Sequence, residues 1–264
     1  MITLPALSVL FFIVIGQSNA VGMAAFPSNL TYPQEARMYS FGKDYKWHTP
    51  VREPLDSTVG VVDSVSANTT TGAGFVLPMV NKILIDQPNN VAVIVPCART
   101  GSSITEWQRD LRLDTLYGSC LNRVIRASEE WNTSTGSYPD KYTIVFWQGE
   151  TDALAGEVFR TTWKQRAERL RSDMKMDISK YNTSVKFIDA VLNPVAPDSN
   201  YRAWNTIRNY QLNLKLTDAN TNYFSTGWYG YGGVTYPAGN PHPSNLASYQ
   251  TIGNWAATSY EALP

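Results

Sequence analysis

Ser8–Asn19 reads SVLFFIVIGQSN, an apolar run that stops at a glycine and is followed at once by three polar side chains. A continuous apolar run without alternation is buried on both faces, and its Val, Ile and Phe content favours an extended strand. Ser8 to Ile15 is far too short to cross a bilayer. No Lys or Arg precedes it, and it ends in Gly16-Gln17-Ser18-Asn19, not a small-x-small cleavage site. It therefore reads as a core strand and not as a secretory leader.

The same punctuation recurs downstream. VAVIVP at 91–96 and TIVFW at 143–147 are further apolar runs, VKFIDAV at 185–191 is another strand, and Asn222–Phe224 is a short one. Between them lie segments with helical spacing: Gly74–Ile85 (Phe75, Leu77, Val80, Ile83, Leu84), Cys120–Trp131, Glu157–Ile178, Tyr201–Leu216 and Ser244–Tyr260. Strands alternating with helices predict an α/β protein with a parallel sheet covered on both faces. Ligands in such sheets sit beyond the carboxyl ends of the strands. No repeat or low-complexity linker interrupts the pattern, so residues 1–264 are expected to form one domain. Residues 23–72 and 225–243 lack periodicity; the first stretch holds Tyr32, Tyr39, Phe41, Tyr45 and Trp47, and the second is rich in Gly, Tyr and Trp. Long loops of this kind tend to be functional or disordered, and their aromatics suit either stacking on sugar rings or packing onto the core.

Twenty-two Lys and Arg balance 22 Asp and Glu across 264 residues. A neutral chain lacks the basic excess that draws proteins to nucleic acid or anionic membranes, so neither is expected as a partner. The chain has only two histidines, His48 and His242, and two cysteines, Cys97 and Cys120, with no CxxC or HExxH. That inventory argues against a structural zinc, and no metal is expected. The two cysteines either pair or stay buried as thiols.

The chemistry concentrates where strands end. The first stops at Gly16-Gln17-Ser18-Asn19, the second at Cys97-Ala98-Arg99-Thr100-Gly101-Ser102, the third at Trp147-Gln148-Gly149-Glu150-Thr151-Asp152. Parallel strands bring all three clusters to one edge. A serine on a tight strand-to-helix turn can expose its hydroxyl beside helix N-terminal amides, which stabilise an oxyanion. Serine is a weak nucleophile until a base takes its proton. His242 follows the last strand and returns to that edge, whereas His48 lies in a long loop with no strand end to fix it.

These residues resemble the SGNH hydrolases, and within them the sialate O-acetylesterases and carbohydrate esterase family 6. IVIGQSNAVG is similar to their first block, PCARTGSSITEW to the second, WQGETD to the third and NPHPSN to the last, over about residues 9 to 260. An α/β-hydrolase would need a GxSxG elbow, which is absent. The resemblance implies a flavodoxin-like three-layer α/β/α sandwich and a serine esterase that removes O-acetyl groups from a carbohydrate, with no cofactor. It implies Ser18 as nucleophile, His242 as general base, and an oxyanion hole built from the N–H groups of Ser18 and Gly101 and the side-chain amide of Gln148. The bland alternative for Gln148 is an amide that ties neighbouring loops together.

One position departs from that pattern. An aspartate usually stands three residues before the histidine, and here that residue is Gly239, followed by Asn240. A backbone carbonyl at Gly239 or Asn240 can fix the histidine tautomer but supplies no full charge. Glu150 is the acidic candidate for a supporting role; the other reading makes it a buried carboxylate bonded to loop groups. Arg99 could bind a sugar carboxylate with two parallel hydrogen bonds, or pair with Glu150 or Asp152. Two other functions fit the same fold: a carbohydrate-binding module without turnover, and an SGNH lipase or thioesterase. The opening on a core strand suits a domain of a larger cell-surface or phage-tail protein, hence an extracellular or virion-associated location, with the periplasm as alternative.

Overall fold

Strand Ser8–Gly16 lies in the middle of a seven-stranded sheet, which is why its side chains are apolar on both faces. The computed structural model describes residues 8–55, 72–155, 157–182, 184–192, 201–227, 231–237 and 240–264. In chain order the strands are β1 (Ser8–Gly16), β2 (Met38–Phe41), β3 (Trp47–His48), β4 (Asn90–Pro96), β5 (Lys141–Trp147), β6 (Lys186–Val191) and β7 (Thr221–Ser225). The helices are α1 (Ser18–Val21), α2 (Val76–Asp86), α3 (Leu116–Thr135), α4 (Glu150–Leu154), α5 (Glu157–Asp177), α6 (Tyr201–Thr217) and α7 (Leu246–Glu261). The order across the sheet is β3-β2-β4-β1-β5-β6-β7. Every pair is parallel except β2 with β3.

Neighbouring residues of β1 point to opposite layers, as the pleat requires. Phe11 stacks on Tyr142, whose hydroxyl donates to Ser128 of α3. Phe12 instead meets Tyr260 of α7 edge-on. The helical layers on the two faces complete the three-layer α/β/α arrangement expected from the alternating pattern. Helix α3 is longer than its apolar spacing suggested because Thr115 caps its N-terminus and Gly136 closes it in the left-handed conformation.

Part of the stretch expected to be a structureless loop is sheet: β2 and β3 extend the edge beyond β4. Its aromatics pack. Phe41 and Tyr32 are buried, and Trp47 lies against Phe11, Phe41 and Trp131. Trp228 and Tyr229 of the later aromatic stretch lie outside the described residues. Cys97 and Cys120 are buried without a disulfide, and the Cys97 thiol faces the Cys120 carbonyl at 3.8 Å.

Candidate active site

The parallel register brings the ends of β1, β4 and β5 to one edge, where their loops clasp each other through backbone. Gln17 N–H donates to Trp147 O at 3.1 Å, and Arg99 N–H donates to Gly16 O at 2.9 Å. Gly16 makes this possible. Its φ is +150°, and a Cβ there would stand 2.0 Å from the Trp147 carbonyl oxygen. The chain then turns into α1, a single turn with Ser18 at its start.

Ser18 Oγ lies 2.7 Å from His242 Nε2 across 224 residues of sequence. The serine was expected to be exposed on its turn; it is 3% exposed, and the imidazole lies directly on its hydroxyl. Asn240-Pro241-His242-Pro243 carries the histidine to that place, and the His242 N–H donates to Asn240 Oδ1 at 2.9 Å. Both flanking prolines fix their own φ, and Pro243 pushes His242 toward extended backbone. Burial lowers the His242 pKa below the ordinary histidine value. Among the described residues no acidic side chain bonds to its ring; Gly239, where the usual aspartate would stand, lies outside them. His48 is elsewhere: it sits on β3 at the far edge of the sheet and binds Asp44 at 2.9 Å.

The second loop makes a turn in which Ser102 N–H reaches back to Arg99 O at 3.3 Å. Gly101 occupies the left-handed position of that turn (φ +75°) and is exposed. Ser102 is buried beneath it, its hydroxyl donating to Arg99 O at 2.8 Å and accepting from Trp107 Nε1 at 3.0 Å. Arg99 lines a cavity of about 360 Å³ with Glu106, Asp114, Thr115 and Leu116. Neither Glu150 nor Asp152 lines it.

Gln148 follows β5 and is wholly buried. Its Nε2 donates to Asp152 Oδ2 at 2.5 Å and faces Ser102 O at 3.4 Å, while its Oε1 accepts from Trp163 Nε1 at 2.5 Å. The amide therefore ties the β4 and β5 loops to α5. Asp152 also accepts from Ile104 N–H at 3.0 Å, and burial raises its pKa. Glu150 Oε1 accepts from Asn19 Nδ2 at 2.8 Å. Burial pushes its carboxyl up to about 7, against the Asn19 hydrogen bond that pulls it down.

Sequence reasoning overlooked four residues of this cluster: Asn19, Asp152 as partner of Gln148, Trp163, and Tyr249, whose hydroxyl donates to Asn19 Oδ1. Asn19 was visible in the GQSN block, and Asp152 in the WQGETD block. Trp163 and Tyr249 sit in helices whose spacing marks them only as core.

The family model described as carbohydrate esterase, sialic acid-specific acetylesterase, matches residues 8–260. No curated protein matches the sequence. Three solved structures share the fold. A protein of Arabidopsis thaliana superposes with a TM-score of 0.73 at 19% identity, covering 98% of this chain and 100% of that one. The structure named NanS gives 0.65 at 18% identity, with 98% of each chain covered. A carbohydrate acetylesterase from Xanthomonas citri gives 0.62 at 14% identity, covering 97% of this chain and 56% of that one.

Proposed function

This chain belongs to the sialic acid-specific acetylesterase family of carbohydrate esterases, and we propose that it removes O-acetyl groups from a glycan through a Ser18–His242 dyad. The observation that carries the reading is the 2.7 Å approach of Ser18 Oγ to His242 Nε2 at the carboxyl edge of the sheet. Such contact between a hydroxyl and a neutral imidazole is what activates a serine. Burial keeps His242 neutral to lower pH than an ordinary histidine, which suits a base.

Acylation proceeds as Ser18 Oγ bonds to the acetyl carbonyl carbon while its proton passes to His242 Nε2. The carbonyl electron pair moves onto oxygen. Three donors meet that oxyanion: the Ser18 N–H, at the start of α1 where no intrahelical acceptor exists; the Gly101 N–H, on its exposed turn; and a Gln148 amide proton. Gln148 Nε2 donates to Asp152 Oδ2 at 2.5 Å and to Ser102 O at 3.4 Å, and the proton on the longer, weaker bond is the one that turns to the oxyanion. Collapse breaks the bond to the sugar oxygen, which takes the proton from His242. Water, deprotonated by His242, then cleaves acetyl-Ser18 to acetate and restores the Ser18 hydroxyl. Arg99 and the cavity it lines receive part of the glycan.

Acetate release tests the reading. Wild-type protein and Ser18→Ala are compared on p-nitrophenyl acetate and on a panel of O-acetylated sialic acids and acetylated neutral polysaccharides. We expect release by the wild type and none by the variant, with unchanged Tm. Equal turnover by Ser18→Ala removes Ser18 as nucleophile, binding without release identifies a carbohydrate-binding module, and a preference for octanoyl over acetyl p-nitrophenyl esters identifies a lipase.

A further inference from the structure

Asn19, next to Ser18 in sequence, has every polar atom of its side chain engaged while 1% exposed. Its Nδ2 donates to Glu150 Oε1 at 2.8 Å and to the Pro241 carbonyl at 3.0 Å, and its Oδ1 accepts from the Tyr249 hydroxyl at 2.7 Å. The amide orientation is unambiguous, because a proline carbonyl can only accept. Pro241 O and His242 N–H belong to the same peptide unit. Asn19 holds that unit by its carbonyl, and Asn240 Oδ1 holds it by its N–H at 2.9 Å. The peptide that carries the imidazole is thus clamped at both ends, and one clamp is the residue bonded to the nucleophile.

We propose that Asn19 is a positioning residue that sets His242 against Ser18, and that Glu150 acts through Asn19 by fixing its amide. The inference rests on the Ser18–His242 reading. It gives Glu150 a role other than contact with the imidazole, and it explains what a buried carboxylate does beside a site whose base has no acidic partner among the described residues. Registering both reacting groups through one residue ties their 2.7 Å separation to local contacts. Positional errors of about 1 Å between reacting groups cost on the order of 10²-fold in rate.

The test measures kcat and KM on p-nitrophenyl acetate, Tm, and the His242 imidazole signals by NMR. Only two histidines are present, so His48→Gln assigns the signals. Asn19→Leu and Asn19→Ser are expected to lower kcat by about 10²-fold, with KM changed less than about threefold, and to broaden or split the His242 resonances. Glu150→Gln keeps an acceptor for Asn19 and is expected to retain most of the activity. Glu150→Leu removes that acceptor and should approach the loss in the Asn19 variants. Full kcat in a folded Asn19 variant, or an unperturbed His242 signal accompanying a loss, overturns the proposal. If both Asn19 variants fail to fold, the comparison of Glu150→Gln with Glu150→Leu decides: equal kcat overturns it and a large gap upholds it. Inactive Ser18→Ala with fully active Asn19 variants sinks this inference alone, whereas active Ser18→Ala sinks the dyad itself.

Discussion

Replacing Gln148 by leucine keeps the side-chain volume nearly constant while deleting an amide that ties loops together in this structure and is proposed to serve as an oxyanion donor. On the stability side, Trp163 Nε1 loses its 2.5 Å acceptor, and Asp152 Oδ2 loses its 2.5 Å donor while keeping Ile104 N–H at 3.0 Å. Each buried group left short of a partner costs roughly 1–3 kcal/mol, so the sum is about 2–6 kcal/mol. For a chain of this size that lowers Tm by roughly 5–20 °C. On the catalytic side, loss of one oxyanion donor lowers kcat by about 10²–10³, with little change in KM. The assay is p-nitrophenyl acetate hydrolysis well below the variant's Tm, so that unfolding does not enter the rate. Trp163→Phe provides the control: it cuts the tie on the Oε1 side and leaves Nε2 on Asp152. That variant should lose roughly 1–3 kcal/mol of stability but less than about tenfold in kcat. If Gln148→Leu retains kcat within threefold, or if Trp163→Phe matches its loss, Gln148 is only a tie between loops and the oxyanion assignment falls.

Two pH dependences follow from burial. Because burial lowers the His242 pKa and the neutral ring is the proposed base, kcat/KM should rise with pH through a midpoint below 6.5 and stay level above it; a midpoint above 7 rejects His242 as the base. Glu150 and the buried Glu53 are raised to about 7 and about 8 from 4.5, so the stability they contribute is fully present below pH 4.5 and is lost as pH rises through 7 to 8. At about 1.4 kcal/mol per unit, the loss amounts to a few kcal/mol for each. Tm should therefore be higher at pH 5 than at pH 8.5, and Glu53→Gln should flatten that slope; an unchanged slope in the variant would show that Glu53 is not the group responsible.

Much of the fold was legible in one dimension because burial leaves a local trace. A central parallel strand must be apolar on both faces, so β1, β4 and β5 appear as unbroken runs, and the chemistry follows at the glycines and polar residues where each run stops. Ser18, Gly101 and Gln148 stand out as candidates for this reason, and His242 does so over His48 because it follows the last strand and returns to the same edge. Strands β2 and β3 left no such trace. At four and two residues they show no period, and it is the ladder with β4 that makes β2 a strand. The loop aromatics were ambiguous for a related reason: whether Trp47 faces solvent or Trp131 depends on a helix that begins 69 residues later. Tertiary structure alone decided how His242 meets the serine, with Nε2 at 2.7 Å from a buried Oγ. It also decided that Gln148 is braced by Trp163, that Glu150 turns to Asn19, and that Asn19 reaches Pro241 across 222 residues. Periodicity reports how much of a side chain is buried. Which partner it meets is set by strand order and register, which place distant segments within hydrogen-bond reach and which no local stretch of sequence contains.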